Sequence, residues 1–199
     1  MRVAALLLAA GSASRFGSDK LLHRLPHGIP VAVQALRHLR SVFDERILVV
    51  VRPETPELSA LLRDEGGEVV VCEKAAEGMG ASLACAIRAV HAAHASGAVD
   101  AYLVALADMP FVRPSSIAAV RDALLGGAAL AAPYFRARRG HPAGIASRFR
   151  AELERLSGDA GARSLFEAHT AELVKVPVGD PGVIRDIDTP GDLSPPLVV

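Results

Sequence analysis

The chain has 199 residues, of which 51% are hydrophobic, so it is long enough to bury a substantial core without disulfides or a structural metal. Its 22 Lys and Arg residues balance its 22 Asp and Glu residues and are scattered along the chain, which argues against nucleic acid or an anionic membrane surface as the main partner. With two cysteines and neither CxxC nor HExxH spacing, a zinc site is not expected, and we expect a reducing, cytoplasmic location.

The first stretch, VAALLLAAGSASRFGSDK at residues 3–20, begins as an apolar run and ends as a polar loop. It predicts a buried strand followed by a phosphate-binding loop, because Gly11 and Gly17 allow backbone N–H groups to approach an anion and Arg15 and Lys20 add positive charge. A short secretory signal peptide is an alternative interpretation of this stretch. The loop matches neither GxGxxG nor GxxxxGK[ST], so a dinucleotide-dependent oxidoreductase loses its main support.

Strand-like and helix-like segments alternate through the first two thirds of the chain. After the first strand, we predict strands at residues 47–51, 69–71, 101–107 and 128–132. We predict helices at residues 30–43, 53–64, 81–95 and 114–125, the last capped by Ser115 or Ser116. This alternation indicates an α/β fold: a single-domain, Rossmann-like three-layer sandwich with a mostly parallel sheet and helices on both faces.

Beyond Pro133 the pattern becomes irregular. The segments in this part are a basic loop at residues 136–141, a helix near residues 147–156, a glycine turn at residues 158–161, and apolar strands at residues 173–178 and 183–187. We expect this part to extend the same domain and to close over one edge of the sheet.

Acidic residues follow two of the predicted strands, at the edge where parallel sheets bind ligands. Asp108 ends an almost entirely apolar strand, where a charge needs a partner, and Asp186 and Asp188 repeat this arrangement. Magnesium fits between such carboxylates and a phosphate loop, because it takes oxygen ligands from one or two carboxylates and from substrate phosphates. The alternative is ordinary capping, with Asp108 in a turn and Asp188 or Thr189 as a helix N-cap.

Three further motifs are compatible with ligand binding but also have ordinary structural explanations. GMGASL at residues 78–83 opens a helix whose free N–H groups favour a phosphate or a ribose hydroxyl. The basic run of Arg136, Arg138 and Arg139 before His141 suits an anionic substrate, and a solvated loop equally. GDAGAR at residues 158–163 enters a helix and offers Arg163 as a phosphate contact.

Taken together, these motifs resemble those of the MobA-like nucleotidyltransferases, and within that family they are most similar to the cytidylyltransferases of the molybdenum cofactor. The resemblance runs through almost the whole chain in the family's order. The motifs are LAAGSASRFGSDK at 8–20, GMGASL at 78–83, ALADMP at 105–110, GHP at 140–142, GDAGAR at 158–163 and DIDTPGDL at 186–193.

The resemblance implies a fold of the nucleotide-diphospho-sugar transferase type over residues 1–199, with nucleotide binding in about 1–110 and acceptor binding in about 111–199. It implies a Mg²⁺-dependent enzyme that transfers CMP from CTP to the phosphate of molybdenum-carrying molybdopterin and releases pyrophosphate. A molybdoenzyme or its chaperone would then receive the product. Because the family needs the first strand inside its fold, the resemblance also removes the signal-peptide alternative.

Residue roles follow from the same resemblance. The residues that would bind the nucleotide are Leu8, Ala9, Ala10, Gly11, Arg15, Lys20, Gly80 and Ser82. Those that would act in catalysis are Arg15, Lys20 and Asp108. Asp108 and Asp188 would hold the magnesium ion. The residues near the acceptor would be Ser82, Pro110, Gly140, His141 and Pro142. No proton-abstracting side chain is required, because the nucleophile and the leaving group are both anionic phosphates.

Two alternatives stay open. Ala10 stands where guanylyl-transferring relatives usually have a second glycine, which favours CTP, but Asp19-Lys20 also occurs in the guanylyl group. Guanylyl transfer from GTP, or nucleotidyl transfer to another phosphorylated acceptor, is therefore the first alternative. The second is a non-catalytic chaperone that binds the molybdenum cofactor, although the presence of Arg15, Lys20, Asp108 and Asp188 together argues against it.

Overall fold

A computed structural model describes residues 1–11, 20–93 and 99–194. Within these ranges eight strands form one mixed sheet. The strands are β1 (Val3–Leu8), β2 (Leu48–Val51), β3 (Glu68–Val71), β4 (Ala101–Leu106), β5 (Leu130–Phe135), β6 (Arg138–Arg139), β7 (Ala143–Ala146) and β8 (Leu173–Pro177). Their order is β3-β2-β1-β4-β7-β5-β6, and β8 pairs with β5.

Most neighbouring strands run parallel. β3, β2, β1 and β4 form a continuous parallel set, and β5 and β8 are also parallel. β7 runs antiparallel to both β4 and β5, and β6 antiparallel to β5. The carboxyl ends of β1, β2 and β4 therefore meet at one edge.

Six α-helices cover the two faces of the sheet in the described ranges. They are α1 (Val31–Arg40), α2 (Pro56–Asp64), α3 (Met79–Ala93), α4 (Pro114–Leu125), α5 (Arg150–Leu153) and α6 (Arg163–Ala168). None of them has the length and apolar character needed to span a bilayer.

Alternate side chains of β1 point to opposite faces of the sheet and pack into two separate layers of the core. Val3, Ala5 and Leu7 pack with residues of α1, α2 and α4, whereas Leu6 and Leu8 pack with residues of α3, α5 and α6. All six residues of β1 are buried, as expected for a central parallel strand covered on both faces. The three-layer α/β fold expected from the sequence is confirmed.

Several local predictions are wrong. Residues 183–187 do not form a strand: a 3₁₀ turn at Pro181–Ile184 leads into a segment that pairs with no strand of the described ranges. Residues 136–141 are not an open loop, because Arg136 and Ala137 form a tight turn with φ of 47° and 65° and lead into β6. The helix expected near residues 147–156 is reduced to a 3₁₀ turn and the four residues of α5.

The predicted serine cap of α4 is also wrong, and the reason is a buried aspartate that the sequence analysis did not single out. Asp180 accepts hydrogen bonds from the backbone N–H of Arg113 at 2.8 Å, from the hydroxyl of Ser116 at 2.8 Å and from the N–H of Gly182 at 3.0 Å. These bonds attach the Pro181–Ile184 turn to the start of α4. The chain then returns to the sheet edge, where the N–H of Ile187 donates to the carbonyl of Asp108 at 2.9 Å.

Candidate functional site

Three charged side chains from distant parts of the chain meet at the carboxyl edge of the sheet. Lys20 Nζ lies 2.8 Å from Asp108 Oδ2 and 3.3 Å from Asp188 Oδ1. Asp108 follows β4, and Asp188 is carried there by the backbone bond between Ile187 and Asp108. The side chain of Lys20 is 9% exposed, that of Asp108 22% and that of Asp188 48%. The cluster therefore opens to solvent on the side of Asp188.

The pKa of Lys20 reflects this environment. Burial acts to lower the pKa, but the charges and hydrogen bonds of Asp108 and Asp188 outweigh it, and the pKa is raised above the usual 10.5. The ammonium therefore stays charged at neutral pH. A fixed cation at the strand ends is suited to an anionic ligand such as a polyphosphate.

A cleft of about 250 Å³ opens beside this cluster. Its walls come from the ends of β1, β2 and β4, from the start of α3, and from a loop after α5. The lining residues are Leu8, Ala10, Gly11, Lys20, Leu21, Arg52, Ala75, Ala76, Gly78, Met79, Ser82, Leu106, Asp108 and Asp159. The sequence-predicted residues Leu8, Ala10, Gly11, Lys20, Ser82 and Asp108 are thus brought together in one cleft.

Successive side chains continue to point to opposite faces of the sheet beyond the end of β1, and this decides which residues of the first loop face the cleft. Leu8 and Ala10 belong to the core layer of α3, on the side of the cleft, whereas Ala9 packs into the opposite layer. The N–H of Ala9 also donates to the carbonyl of Val50 at 2.8 Å. Ala9 is therefore not among the lining residues. Gly11 lines the cleft, and a Cβ there would have no described atom within 4 Å.

The start of α3 is built against a loop from the far end of the chain. The N–H of Gly80 donates to the carbonyl of Gly158 at 2.7 Å, and a Cβ at Gly80 would lie 2.6 Å from the carbonyl oxygen of Ser157. The Ser82 hydroxyl donates to the carbonyl of Gly78 at 3.3 Å. Gly80 therefore serves close packing, and its N–H is already paired with protein, whereas Ser82 does line the cleft.

Two charged lining residues, Arg52 and Asp159, were given no binding role from the sequence. Arg52 follows β2 on the same side as Leu48 and Val50, and its Nε atom is buried with no hydrogen-bond partner in the described ranges. Asp159 comes from the GDAGAR motif, for which Arg163 was the expected contact. Because Arg52 directly follows a predicted strand, the sequence does place it at the edge of the sheet where ligands bind, and the structure confirms that position. No local signal could have identified Asp159.

The residues predicted near the acceptor lie elsewhere, except Ser82. His141 and Pro142 border a small void against α1 and α4, together with His38, Met109 and Ile117. The N–H of His141 donates to the carbonyl of Val183 at 2.8 Å, and its Nδ1 atom is buried with no partner in the described part of the chain. Gly140 and Pro110 are buried and do not line the cleft.

The pKa of His141 falls to about 4, because burial disfavours the charged ring and the nearby Arg139 repels it. The ring is therefore neutral at pH 7.

The remaining basic candidates within the described ranges do not line the cleft. Arg139 stacks over the ring of Phe166 at 4.7 Å, and Arg136 over that of Phe135 at 5.2 Å. Arg163 pairs with Glu167 at 2.8 Å on the surface. Arg15, predicted to bind the triphosphate, lies outside the described residues.

A divalent cation is compatible with the acidic pair. Asp108 and Asp188 both contact the ammonium of Lys20, so their carboxylates face one point. Two carboxylates leave the remaining positions for water and substrate phosphates, which is the ligand set that Mg²⁺ prefers. Within the described ranges no cluster of three or more acidic, histidine or cysteine side chains could hold a metal by itself.

Solved structures share this fold over nearly the whole chain. Rv0371c from Mycobacterium tuberculosis H37Rv superposes with a TM-score of 0.79 and 24% identity, over 96% of both chains. Molybdopterin-guanine dinucleotide biosynthesis protein A from Archaeoglobus fulgidus superposes with a TM-score of 0.64 and 21% identity, over 97% of this chain and 95% of that one.

Sequence comparison finds a relative over part of the chain and a matching family model. The bifunctional protein GlmU of Xanthobacter autotrophicus (strain ATCC BAA-1158 / Py2) is 36% identical over 129 residues, which are 64% of this chain and 28% of that protein. The chain thus spans well under a third of the length of that relative. The family model for the MobA-like NTP transferase domain matches residues 5–173, from the first strand through the last helix. The chain therefore belongs to the family of MobA-like NTP transferase domains.

Proposed function

We propose that the chain transfers CMP from CTP to the phosphate of a molybdopterin-type acceptor and releases pyrophosphate. The observation that carries the proposal is the convergence of Lys20, Asp108 and Asp188 on one point at the mouth of a cleft. A cation and two carboxylates in that arrangement suit a triphosphate with its magnesium ion. They do not suit acyl transfer or hydride transfer.

Each residue has a defined part in this reaction. The ammonium of Lys20 neutralises charge on the triphosphate, and Gly11 allows the backbone to approach it. Asp108 and Asp188 would hold Mg²⁺, which supplies charge neutralisation at the phosphates. An oxygen of the acceptor phosphate attacks the α-phosphorus, and pyrophosphate leaves with the electron pair of the broken bond. No proton is transferred, so no general base is needed.

Arg52 bears on the choice of base. It follows β2, on the far side of β1 from Asp108, so a nucleotide with its phosphates at Lys20 would extend its base towards Arg52. The fork of N–H donors in arginine matches two adjacent acceptors. Cytosine offers O2 and N3, and guanine offers O6 and N7, whereas the N3–H of uracil would face another donor. Arg52 supports CTP or GTP over UTP, and Ala10 favours CTP by family resemblance.

The first experiment is thermal stabilisation of the purified protein by CTP, GTP, ATP and UTP, each with and without Mg²⁺. We expect a magnesium-dependent rise in melting temperature with CTP, followed by pyrophosphate release when molybdopterin is added. A rise with GTP alone would assign the protein to guanylyl transfer. No rise with any nucleotide would contradict the proposal and favour the cofactor-binding chaperone.

The matched variant is Asp108→Asn, which keeps the size of the side chain and removes its charge. We expect pyrophosphate release to fall on the order of 10²-fold or more, because the oriented charge at the phosphates is lost. The control is Asp64→Asn, the same change at the exposed end of α2, which should leave activity unchanged. Near-normal turnover in Asp108→Asn would refute the role of Asp108.

A further inference from the structure

The ammonium of Lys20 contacts the same two carboxylates that would hold the metal ion. Its Nζ atom lies 2.8 Å from Oδ2 of Asp108 and 3.3 Å from Oδ1 of Asp188. A divalent cation takes oxygen ligands from such a pair. It would then lie beside an ammonium whose side chain is only 9% exposed, where water screens the repulsion between the two positive charges poorly. The pair of carboxylates can therefore serve one of the two cations at a time.

The backbones that carry the two carboxylates are held by contacts that do not involve Lys20. The carbonyl of Asp108 accepts a hydrogen bond from the N–H of Ile187 at 2.9 Å. The N–H of Asp188 donates to the carboxylate of Asp192 at 3.3 Å. Because neither bond needs the ammonium, the acidic pair keeps its place when Lys20 turns away from it.

The side chain of Lys20 is the part of the cluster that can move. Its backbone is fixed, because the carbonyl of Lys20 accepts from the N–H of His23 at 3.3 Å and the carbonyl of Leu21 accepts from the N–H of Ala32 at 3.1 Å. The ammonium, however, stands at the end of a flexible four-carbon stem. Lys20 also lines the cleft of about 250 Å³, which gives the ammonium room to turn towards an anion bound there.

We propose that Lys20 sets the order of binding: its ammonium keeps a divalent cation off Asp108 and Asp188 until a triphosphate in the cleft draws the ammonium away. A triphosphate carries several negative charges, whereas each carboxylate carries one. Metal and nucleotide then bind cooperatively, because each favours the position of Lys20 that the other needs. The inference rests on the proposed function for the identity of the anion, whereas the exclusion of the cation concerns the protein without nucleotide.

The test measures binding of Mn²⁺ to the nucleotide-free protein by electron paramagnetic resonance, which requires no turnover. Mn²⁺ prefers the same carboxylate ligands as Mg²⁺. Lys20→Met removes the ammonium and keeps an unbranched side chain. It should bind Mn²⁺ at least about tenfold more tightly than the wild type, because a charge-assisted contact no longer competes for the carboxylates. Mg²⁺ without nucleotide should raise the melting temperature of Lys20→Met and not that of the wild type.

Lys175→Met is the matched control, because it removes the same charge from the exposed strand β8, where Lys175 lies over the ring of Tyr134. It should leave the affinity for Mn²⁺ unchanged. Lys20→Met combined with Asp108→Asn should lose the gain, which locates the bound ion at the acidic pair. Lys20→Met leaves two carboxylates without their partner, which costs stability. Lys20→Gln keeps a hydrogen-bond donor and serves as a second, milder variant with the same expected gain.

Equal Mn²⁺ affinity in the wild type and the Lys20 variants, or no Mn²⁺ binding to any of them, would overturn the inference. A gain that persists when Asp108→Asn is added would also overturn it, because the ion would be bound elsewhere. Thermal stabilisation of the wild type by CTP with Mg²⁺ reports on the proposed function separately. If that stabilisation is present and the variants do not differ, the exclusion by Lys20 fails alone. If it is absent and the variants differ, the exclusion stands and the proposed function fails.

Discussion

The ammonium of Lys20 contributes to the stability of the fold and to the proposed binding of the triphosphate. Both roles depend on its contacts with Asp108 and Asp188. Buried ion pairs are costly to desolvate, and removing one partner leaves an uncompensated charge. Here the cost is offset by two carboxylates, which also raise the pKa of Lys20 above 10.5. Because the folded pKa is raised, the contribution of Lys20 to stability is complete below pH 10.5 and is lost as the pH rises through the folded value. The ammonium of Lys20 thus stays charged at neutral pH.

The lowered pKa of His141 predicts the opposite pH dependence of the free energy of unfolding. Its pKa is about 4 in the folded protein, because of burial and repulsion from Arg139, against 6.5 in the unfolded chain. Between these values the unfolded chain binds the extra proton. The free energy of unfolding should therefore decrease as the pH falls from 6.5 towards 4, by up to roughly 3 kcal/mol.

The measurement is urea unfolding of the wild type and of His141→Gln at pH 7.5 and pH 4.5. The variant should lose less stability on acidification, because glutamine does not titrate. His38, whose pKa is also lowered by burial, is present in both proteins and cancels in the comparison. An identical loss in both proteins would contradict the assignment of this pH dependence to His141.

At the scale of elements, Gly80 shows how a helix start and a distant loop depend on each other. Gly80→Ala would place a methyl group 2.6 to 2.9 Å from the backbone of Ser157, which cannot rotate away as a side chain can. We expect this overpacking to lower the free energy of unfolding by about 1–3 kcal/mol. We also expect weaker binding of CTP, because the start of α3, which lines the cleft through Ser82, must shift.

Gly126→Ala is the matched control at the end of α4. Its φ is −75° and its nearest contacts would be 3.4 Å away, so the same substitution should change the free energy of unfolding by no more than about 0.5 kcal/mol. Urea unfolding and nucleotide titration of both variants test the comparison. Equal stability of the two variants would show that the loop is not held by this contact.

The elements also show why some segments were predicted correctly and others not. α4 and β2 have a clear helical or β-branched apolar pattern, so their local preference agrees with their place in the fold. At residues 183–187 the buried Val183 and Ile187 suggested a strand, but their backbones bond to loops at His141 and Asp108. Burial of a side chain does not specify the partner of its backbone.

At the scale of the whole molecule, one sheet contains strands from both sides of residue 110. The expected division there into a nucleotide-binding part and an acceptor-binding part therefore concerns binding roles alone, and it stays a prediction. β4 lies before this point and pairs with β7 behind it, through residues such as Leu103 and Gly144. Both core layers also combine residues from the two parts. Removal of the second part would expose one edge of β4 and uncover the faces that α4 and α5 protect.

We therefore expect a fragment of residues 1–110 not to fold by itself, and the full chain to unfold in one cooperative step. Circular dichroism in the near and far ultraviolet, followed through urea unfolding, provides the measurement. For the full chain the two transitions should coincide, and the fragment should lack a sigmoidal transition. A fragment with native-like near-ultraviolet signals and a cooperative transition would contradict this view.

The sequence by itself determined the features that depend on local pattern and residue type. It specified the alternation of strands and helices, the loops at strand ends, the family, and the chemical identity of Lys20, Asp108 and Asp188. The tertiary structure alone decided which loop residues share a cleft. Alternation past β1 turns Ala9 away from it, and a backbone contact at Gly80 brings in Asp159. Such contacts join segments that are far apart in sequence and depend on how the layers of the fold pack. The conformational preference of a short segment does not specify them.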